Sequence, residues 1–554
     1  SEKTLVSWRS WLVVVLAAAW LASLAARPLY KTDEARYGEI SREMAQSGDW
    51  VTPRLNGFKY FEKPPLQYWA GAAALSLFGV HDWAARLWTG LMALAGVALA
   101  FFAGRRLFGA PAGVLAAALL AGAPLYLAFG QINTLDMGVS VLLSAAIFAF
   151  AVAHAPDAER TPGAHAERAR RRWMLAGWAA CGLAVLSKGL IGIVLPAATV
   201  ALYVLVRRDW ALLRRLELAR GTALFLAITA PWFIAVSMRN PEFAHFFFVQ
   251  EHFQRFTTTM HHRSHPVWYF VPVLAGGVLP FLFVIAAGWW AGLRRPGAGF
   301  SPTLFLALWA LVVFVFFSAS GSKLPGYIVP LLPALAALGG AYVARAAPGR
   351  LLMAQSAVVA LTGLALAAAA PRLVRIGGDR LEQFAGAYSA ALVVAGLALA
   401  AAGVYAALLA RRGRVPACVV ALAIGAFCAV LLAIAGHRVY APFFNASSTI
   451  AAMNPPPSPE TPFFAVHSYD HSVPWSLRRT VTMVSYRDEF GDAVDWEPGG
   501  GYIPDDAGFT RAWTEARDAY ALFAVRDFDR LRAELGLPME VVSRGPRYII
   551  VRKP

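Results

Sequence analysis

The chain has 554 residues, 58% of them hydrophobic and 15% charged, with a formal net charge of +17. With a mean hydropathy of +0.53, these values exclude an ordinary soluble domain and point to a polytopic membrane protein. The positive balance fits basic cytoplasmic loops and phosphate-bearing lipids as partners, so no nucleic-acid partner is expected.

The apolar runs are rich in Ala, Leu and Val and lack the alternation of barrel strands, so they predict helices. A crossing needs about 20 apolar residues. In chain order the expected spans are 8–26, 82–104, 111–130, 134–154, 173–187, 190–206, 221–238, 267–292, 302–318, 325–344, 351–370, 384–410 and 416–436, about thirteen in all. The first run is followed by RPLY and a charged loop, without a small-residue cleavage site, so it reads as a retained span. The stretch 66–79 is apolar but short and reads as an interfacial helix. Cys181, Cys418 and Cys428 all lie inside apolar runs and imply packing, with no disulfide framework.

Arginine sets the expected orientation. It recurs in alternate connections, at Arg105–Arg106, 168–172, 207–220, Arg294–Arg295, 345–350 and 411–414. The positive-inside rule makes these cytoplasmic and agrees with a thirteen-span count. The other connections, among them 30–65, 130–136, 187–189, 239–266 and 318–327, are then outer. Of the seven lysines all but Lys3 fall on that outer side. A compact ammonium is a good phosphate partner, although lysine is also a common surface residue.

Past residue 440 the composition changes, and PPPSPE at 455–460 punctuates the boundary. Strands are expected at 463–466, 481–484, 521–525 and 548–551, with a helix at 528–535. The expected organisation is a transmembrane catalytic domain over 1–439 and a small soluble extracytoplasmic α/β domain over 440–554.

Four constellations could carry chemistry. Asp33–Glu34 opens a predicted helix over 33–47. It reads either as the acidic start of an amphipathic surface helix or as an acid that orients a sugar or stabilises developing positive charge. Asp136, in QINTLD, puts a second carboxylate at an outer boundary, where filler is a poor explanation. Glu62–Lys63–Pro64–Pro65 holds its charges on a stiff, extended exit, either as a weak surface pair or as a lysine aimed at a lipid phosphate. The segment 251–268 carries His252, Arg255, His261, His262, Arg263 and His265 in no tight metal motif. It fits a solvated or phosphate-binding loop, or a metal site completed by Glu62 with zinc favoured. In SGSKLPGY, Lys323 and Tyr327 form either a helix–helix turn or, with Lys63, Lys188 and Arg255, an anion cradle. No Walker loop or dinucleotide fingerprint is present.

DEARYGE, the run GDWVTPRLNGFKYFEKPPLQYW, TLD at 134–136, EHFQRF…PVWYF and KLPGY together resemble the C-type membrane glycosyltransferases that use polyprenyl-phosphate sugars. Within that class they are most similar to the ArnT family of lipid A aminoarabinose transferases. The resemblance implies a catalytic acid at Asp33, aided by Glu34 and a second acid at Asp136. It implies lipid-phosphate contacts from Lys63, Arg255 and Tyr327, with Lys323 and Lys188 beside them. It also implies a metal-associated pair from Glu62 and His265 or His262. The expected substrates are undecaprenyl-phosphate-linked 4-amino-4-deoxy-L-arabinose and lipid A, at the periplasmic face of a bacterial inner membrane, with resistance to polymyxin as the outcome. Another transferase of this architecture, a lipid-phosphate transporter and a membrane assembly factor are the competing expectations.

Overall fold

The structure, a computed structural model, describes residues 2–155, 164–254, 265–294, 299–373, 379–497 and 501–554. It divides into two compact units. One contains α1 (Glu2–Ser23), Trp88–Leu373 and Ser389–Ala435; the other contains Leu24–Leu87, the first turns of helix Asp379–Arg411 up to Tyr388, and Gly436–Pro554.

The first unit is helical. Among the described residues eight helices are long and apolar enough to cross a membrane, or ten when two bent pairs count as one span each. The shorter apolar helices Trp11–Ser23 and Ile191–Arg207 and the helix Ala164–Lys188, whose first half is arginine-rich, complete the expected set. The bends are 66° between Ala110–Ala121 and Pro124–Gly130, and 74° between Val267–Gly277 and Leu279–Arg294. Pro124 and Pro280 sit at the starts of the second halves, where a ring without an N–H ends one helix and begins another. Close helix contact depends on small residues: a Cβ on Gly340 would lie 2.7 Å from the Ala112 carbonyl oxygen. Inside the bundle the Trp309 indole donates to the Pro330 carbonyl at 3.1 Å.

The second unit begins with α2 (Asp33–Ser47) and a hairpin of β1 (Arg54–Leu55) and β2 (Phe58–Lys59). The hairpin turns on Asn56 and Gly57, both at positive φ (52° and 83°), as an Asn-Gly pair permits. α3 (Leu66–Phe78) follows as the short helix expected at 66–79, and its end leaves Leu77 77% exposed. The tail forms β3 (Phe463–Val466), β4 (Thr482–Val484), β5 (Tyr502–Ile503), β6 (Tyr520–Ala524), β7 (Glu540–Arg544) and β8 (Tyr548–Arg552) in the order β5-β4-β3-β6-β8-β7. β5, β4, β3 and β6 run parallel, while β8 is antiparallel to β6 and β7. The helices Asp506–Glu515 and Phe528–Leu535 cover the sheet through Phe509, Trp513, Phe528 and Leu531.

The second unit departs from the expected division at residue 440. Residues of the first loop are interlocked with the tail: the Asn56 side chain donates to the Val481 carbonyl at 2.9 Å and accepts its N–H at 2.8 Å, as a neighbouring strand would. The Trp475 indole donates to Asp82 at 2.8 Å, and Trp475 packs with Leu29, Ala35 and Leu75. α2 is therefore no surface helix; Glu34, Tyr37, Glu39, Ile40, Arg42 and Met44 are all buried.

Candidate functional site

Within the second unit the two acids that open α2 part company. Glu34 is 4% exposed, and its oxygens accept from Arg27, from Arg86 at 2.8 and 3.2 Å, and from the Tyr30 N–H at 3.1 Å. Burial alone would raise its pKa, but Arg86 and Arg27 outweigh burial and hold it down at about 2. Arg86 also donates to the carbonyls of Leu24, Arg27 and Pro28. Glu34, expected among the catalytic acids, is thus the centre of a structural knot with no face left for a substrate. Asp33 is different: its side chain is 42% exposed, and among the described residues its ion-pair partner is Arg36 at 3.5 Å.

Arg36 lies one turn beyond Asp33 and points to the tail, where Nη2 meets Glu489 at 2.5 Å. His471 Nε2 meets the other Glu489 oxygen, also at 2.5 Å. Burial pushes the Glu489 pKa up, yet His471 and Arg36 hold it below the usual carboxylate range. Beside this group the Tyr60 hydroxyl is buried without a hydrogen-bond partner among the described residues. Burial, then Glu62, push its pKa well up, so it stays protonated and able to donate. Lys63 donates to the Glu62 carbonyl at 2.7 Å and lies 3.9 Å from the Glu62 carboxylate. Arg36, Glu489 and His471 were not singled out by sequence reasoning, because the tail carries no motif and the pairings span more than 400 residues.

On the same helix Glu43 accepts the N–H groups of Asn56 at 2.5 Å and Gly57 at 2.8 Å, fixing the hairpin turn. Burial and the neighbouring Glu39 raise its pKa to about 8 against those two bonds.

The first unit holds a separate group. Asp136, at the start of helix Leu135–His154, is ion-paired to Lys188 at the end of helix Ala164–Lys188. The Lys188 ammonium stands 5.0 Å from the Tyr327 ring centre. Gly326 lets the KLPGY turn come close, since a Cβ there would fall 2.7 Å from the Asp136 carboxyl carbon and 2.6 Å from the Phe129 ring. Three sequence-predicted residues therefore meet here. Lys323 does not join them as an open cation: it is buried and donates to its own turn at the Ser320 carbonyl, 2.6 Å away.

The expected metal set falls only partly within the described residues. Among the described residues no three of His, Cys, Asp and Glu gather to hold an ion. His265 is exposed and stacks on Tyr269, with ring centres 4.2 Å apart. Arg255 and His262, with His261 and Arg263, lie outside the described residues.

Comparison with known proteins gives a consistent result. The family described as Aminoarabinose transferase C-terminal domain matches residues 449–553, and the family described as Dolichyl-phosphate-mannose-protein mannosyltransferase matches residues 62–234. The undecaprenyl phosphate-alpha-4-amino-4-deoxy-L-arabinose arabinosyl transferase 1 of Sodalis glossinidius is 37% identical over 60% of this chain and 58% of its own length. The corresponding Pseudomonas aeruginosa protein is 34% identical over 65% of this chain and 64% of its own. The matched stretch thus spans less than two thirds of these relatives. The crystal structure of ArnT from Cupriavidus metallidurans bound to undecaprenyl phosphate is similar over 98% of both chains, at 38% identity and a TM-score of 0.92.

Proposed function

We propose that this chain, which belongs to the ArnT family, moves 4-amino-4-deoxy-L-arabinose from undecaprenyl phosphate to a phosphate of lipid A at the periplasmic face of a bacterial inner membrane. The observation that carries the reading is the end-to-end match to an ArnT bound to undecaprenyl phosphate, 38% identical over 98% of both chains. The arabinosyl transferase names of the relatives support the donor. The arginine-bearing connections support the orientation.

An acceptor phosphate is already ionised near neutral pH and needs little help from a general base. In the proposed step an acceptor phosphate oxygen forms a bond to the anomeric carbon while the bond from that carbon to the undecaprenyl phosphate oxygen breaks. Undecaprenyl phosphate leaves with the bonding pair, and no proton has to move. Of the two acids that open α2, Asp33 is the exposed one, so it is assigned to the sugar's amine and to the positive charge that develops at the ring. Lys63, and by resemblance Arg255, are assigned to phosphate. Asp136 anchors Lys188 beside Tyr327, which presents a cation and a hydroxyl to a phosphate group. The modified lipid A carries one more cationic group per molecule, which weakens its attraction for cationic peptides such as polymyxin.

The deciding experiment incubates the purified protein with lipid A and the lipid-linked aminosugar and weighs the lipid products. Lipid A is expected to gain one aminopentose unit with inverted anomeric configuration. Transfer only from a different lipid-linked sugar, or to a protein hydroxyl, would retire this donor and acceptor; retained configuration would rule out in-line attack. In the same assay Gly326→Ala is expected to slow turnover by about 10- to 100-fold, because its methyl displaces Asp136 from a tight contact. An unchanged rate would detach Asp136 from the chemistry.

A further inference from the structure

We propose that the C-terminal domain keeps the first-loop acid available: Glu489, supported by His471, draws the Arg36 guanidinium away from Asp33 and leaves that carboxylate to a cationic sugar. The inference rests on the transferase reading above and makes Glu489 and His471 positioning residues for it.

Asp33 and Arg36 stand three residues apart on one helix, the spacing at which opposite charges normally pair. Here they reach only 3.5 Å, while Arg36 Nη2 lies 2.5 Å from Glu489 Oε2. Glu489 Oε1 and His471 Nε2 are 2.5 Å apart, a separation that requires a proton between them. Arg36 and His471 keep Glu489 ionised against its burial, so the proton resides on His471 Nε2, which donates. A nitrogen that donates cannot also accept, so the 3.3 Å approach of Arg36 Nε to it is a contact and no second bond. Both Glu489 oxygens are thus committed, one to the buried imidazole and one to the guanidinium.

Arg36 is held at 2.5 Å by Glu489, while Asp33 keeps only a 3.5 Å contact and a side chain 42% exposed. A sugar amine is cationic near neutral pH, and so is the ring during transfer. The buried Tyr60 hydroxyl, without a partner among the described residues, adds a donor beside the same guanidinium. With Glu489 neutral, Arg36 would be left with Asp33 at 3.5 Å and with Glu62 as a more distant carboxylate. The ion pair so formed would compete with the substrate.

The test uses the full chain, with initial rates on the lipid-linked aminosugar and lipid A for the parent, Glu489→Gln, Arg36→Gln and the double variant. Glu489→Gln is expected to lower kcat by about tenfold or more with KM for lipid A little changed. Removing the guanidinium as well is expected to recover about fivefold of that loss. A bridge that only glues loop to tail predicts no recovery. A double variant no faster than Glu489→Gln, or Glu489→Gln within about twofold of the parent, overturns the proposal. Should Glu489→Gln fail to fold, His471→Leu against His471→Gln decides: Gln retains an N–H donor and is expected to be the faster, and equal rates overturn it. A parent without transfer retires the transferase reading and this inference together; an active parent with an unimpaired Glu489→Gln retires this inference alone.

Discussion

Asp33→Asn is expected to cut transfer by about 10²- to 10³-fold in kcat while leaving the thermal midpoint where it was. The exchange keeps shape and removes only charge. The side chain is 42% exposed, and its 3.5 Å contact with Arg36 is a partly solvated pair worth about 0–1 kcal/mol to folding. Stability should hardly register the loss. A developing positive charge at the sugar ring would register it fully, because an amide offers a dipole where the carboxylate offered a charge. Initial rates and a melting curve on the same preparation check both halves. Turnover within a few fold of the parent would remove Asp33 from the chemistry.

Glu34→Gln is expected to do the reverse. It destabilises the second unit by about 3–5 kcal/mol, since two buried guanidinium groups lose the one carboxylate between them. The readout is thermal or denaturant unfolding. pH gives an independent check, because the folded-state pKa of about 2 lies below the unfolded value near 4.5. The stabilisation is fully present above about pH 4.5 and is lost as pH falls through about 2. Acid unfolding of the parent should include this loss, and Glu34→Gln should lack it. A variant as stable as the parent across that range would show that the knot contributes nothing.

These opposite outcomes at adjacent positions show where the sequence stops being legible. DEAR at 33–36 announces a helix start and two acids, and α2 runs from Asp33 to Ser47 as expected. Consecutive residues on a helix point about 100° apart, so one acid can face an interior while the next faces solvent. Which one does so depends on Arg86, 52 residues beyond Glu34, and no local pattern shows that. Asn56–Gly57 is a strong hairpin signal that the sequence reading passed over. Its bonds to Val481 belong to a partner 425 residues away. Lys323 shows the converse: a lysine in a glycine-bearing turn suggests an anion site, but its ammonium folds back onto the Ser320 carbonyl.

The sequence by itself determined the properties that arise within one segment. Runs of about 20 apolar residues must become helices in lipid, because every backbone N–H and C=O has to be satisfied internally. Pro124 and Pro280 bend two of them because their rings interrupt the helical ladder. The alternation and length of the tail's runs made β3, β4, β6, β8 and the helix Phe528–Leu535 readable, while the edge strands β5 and β7 were not foreseen. Tertiary structure alone decided the allegiance of the first loop, which lies in the compact unit of the tail, and the fate of each charge. Ion pairs such as Arg27–Glu34–Arg86, Asp136–Lys188 and Arg36–Glu489–His471 join residues from separate elements. Their formation depends on burial and distance, which only the folded chain supplies.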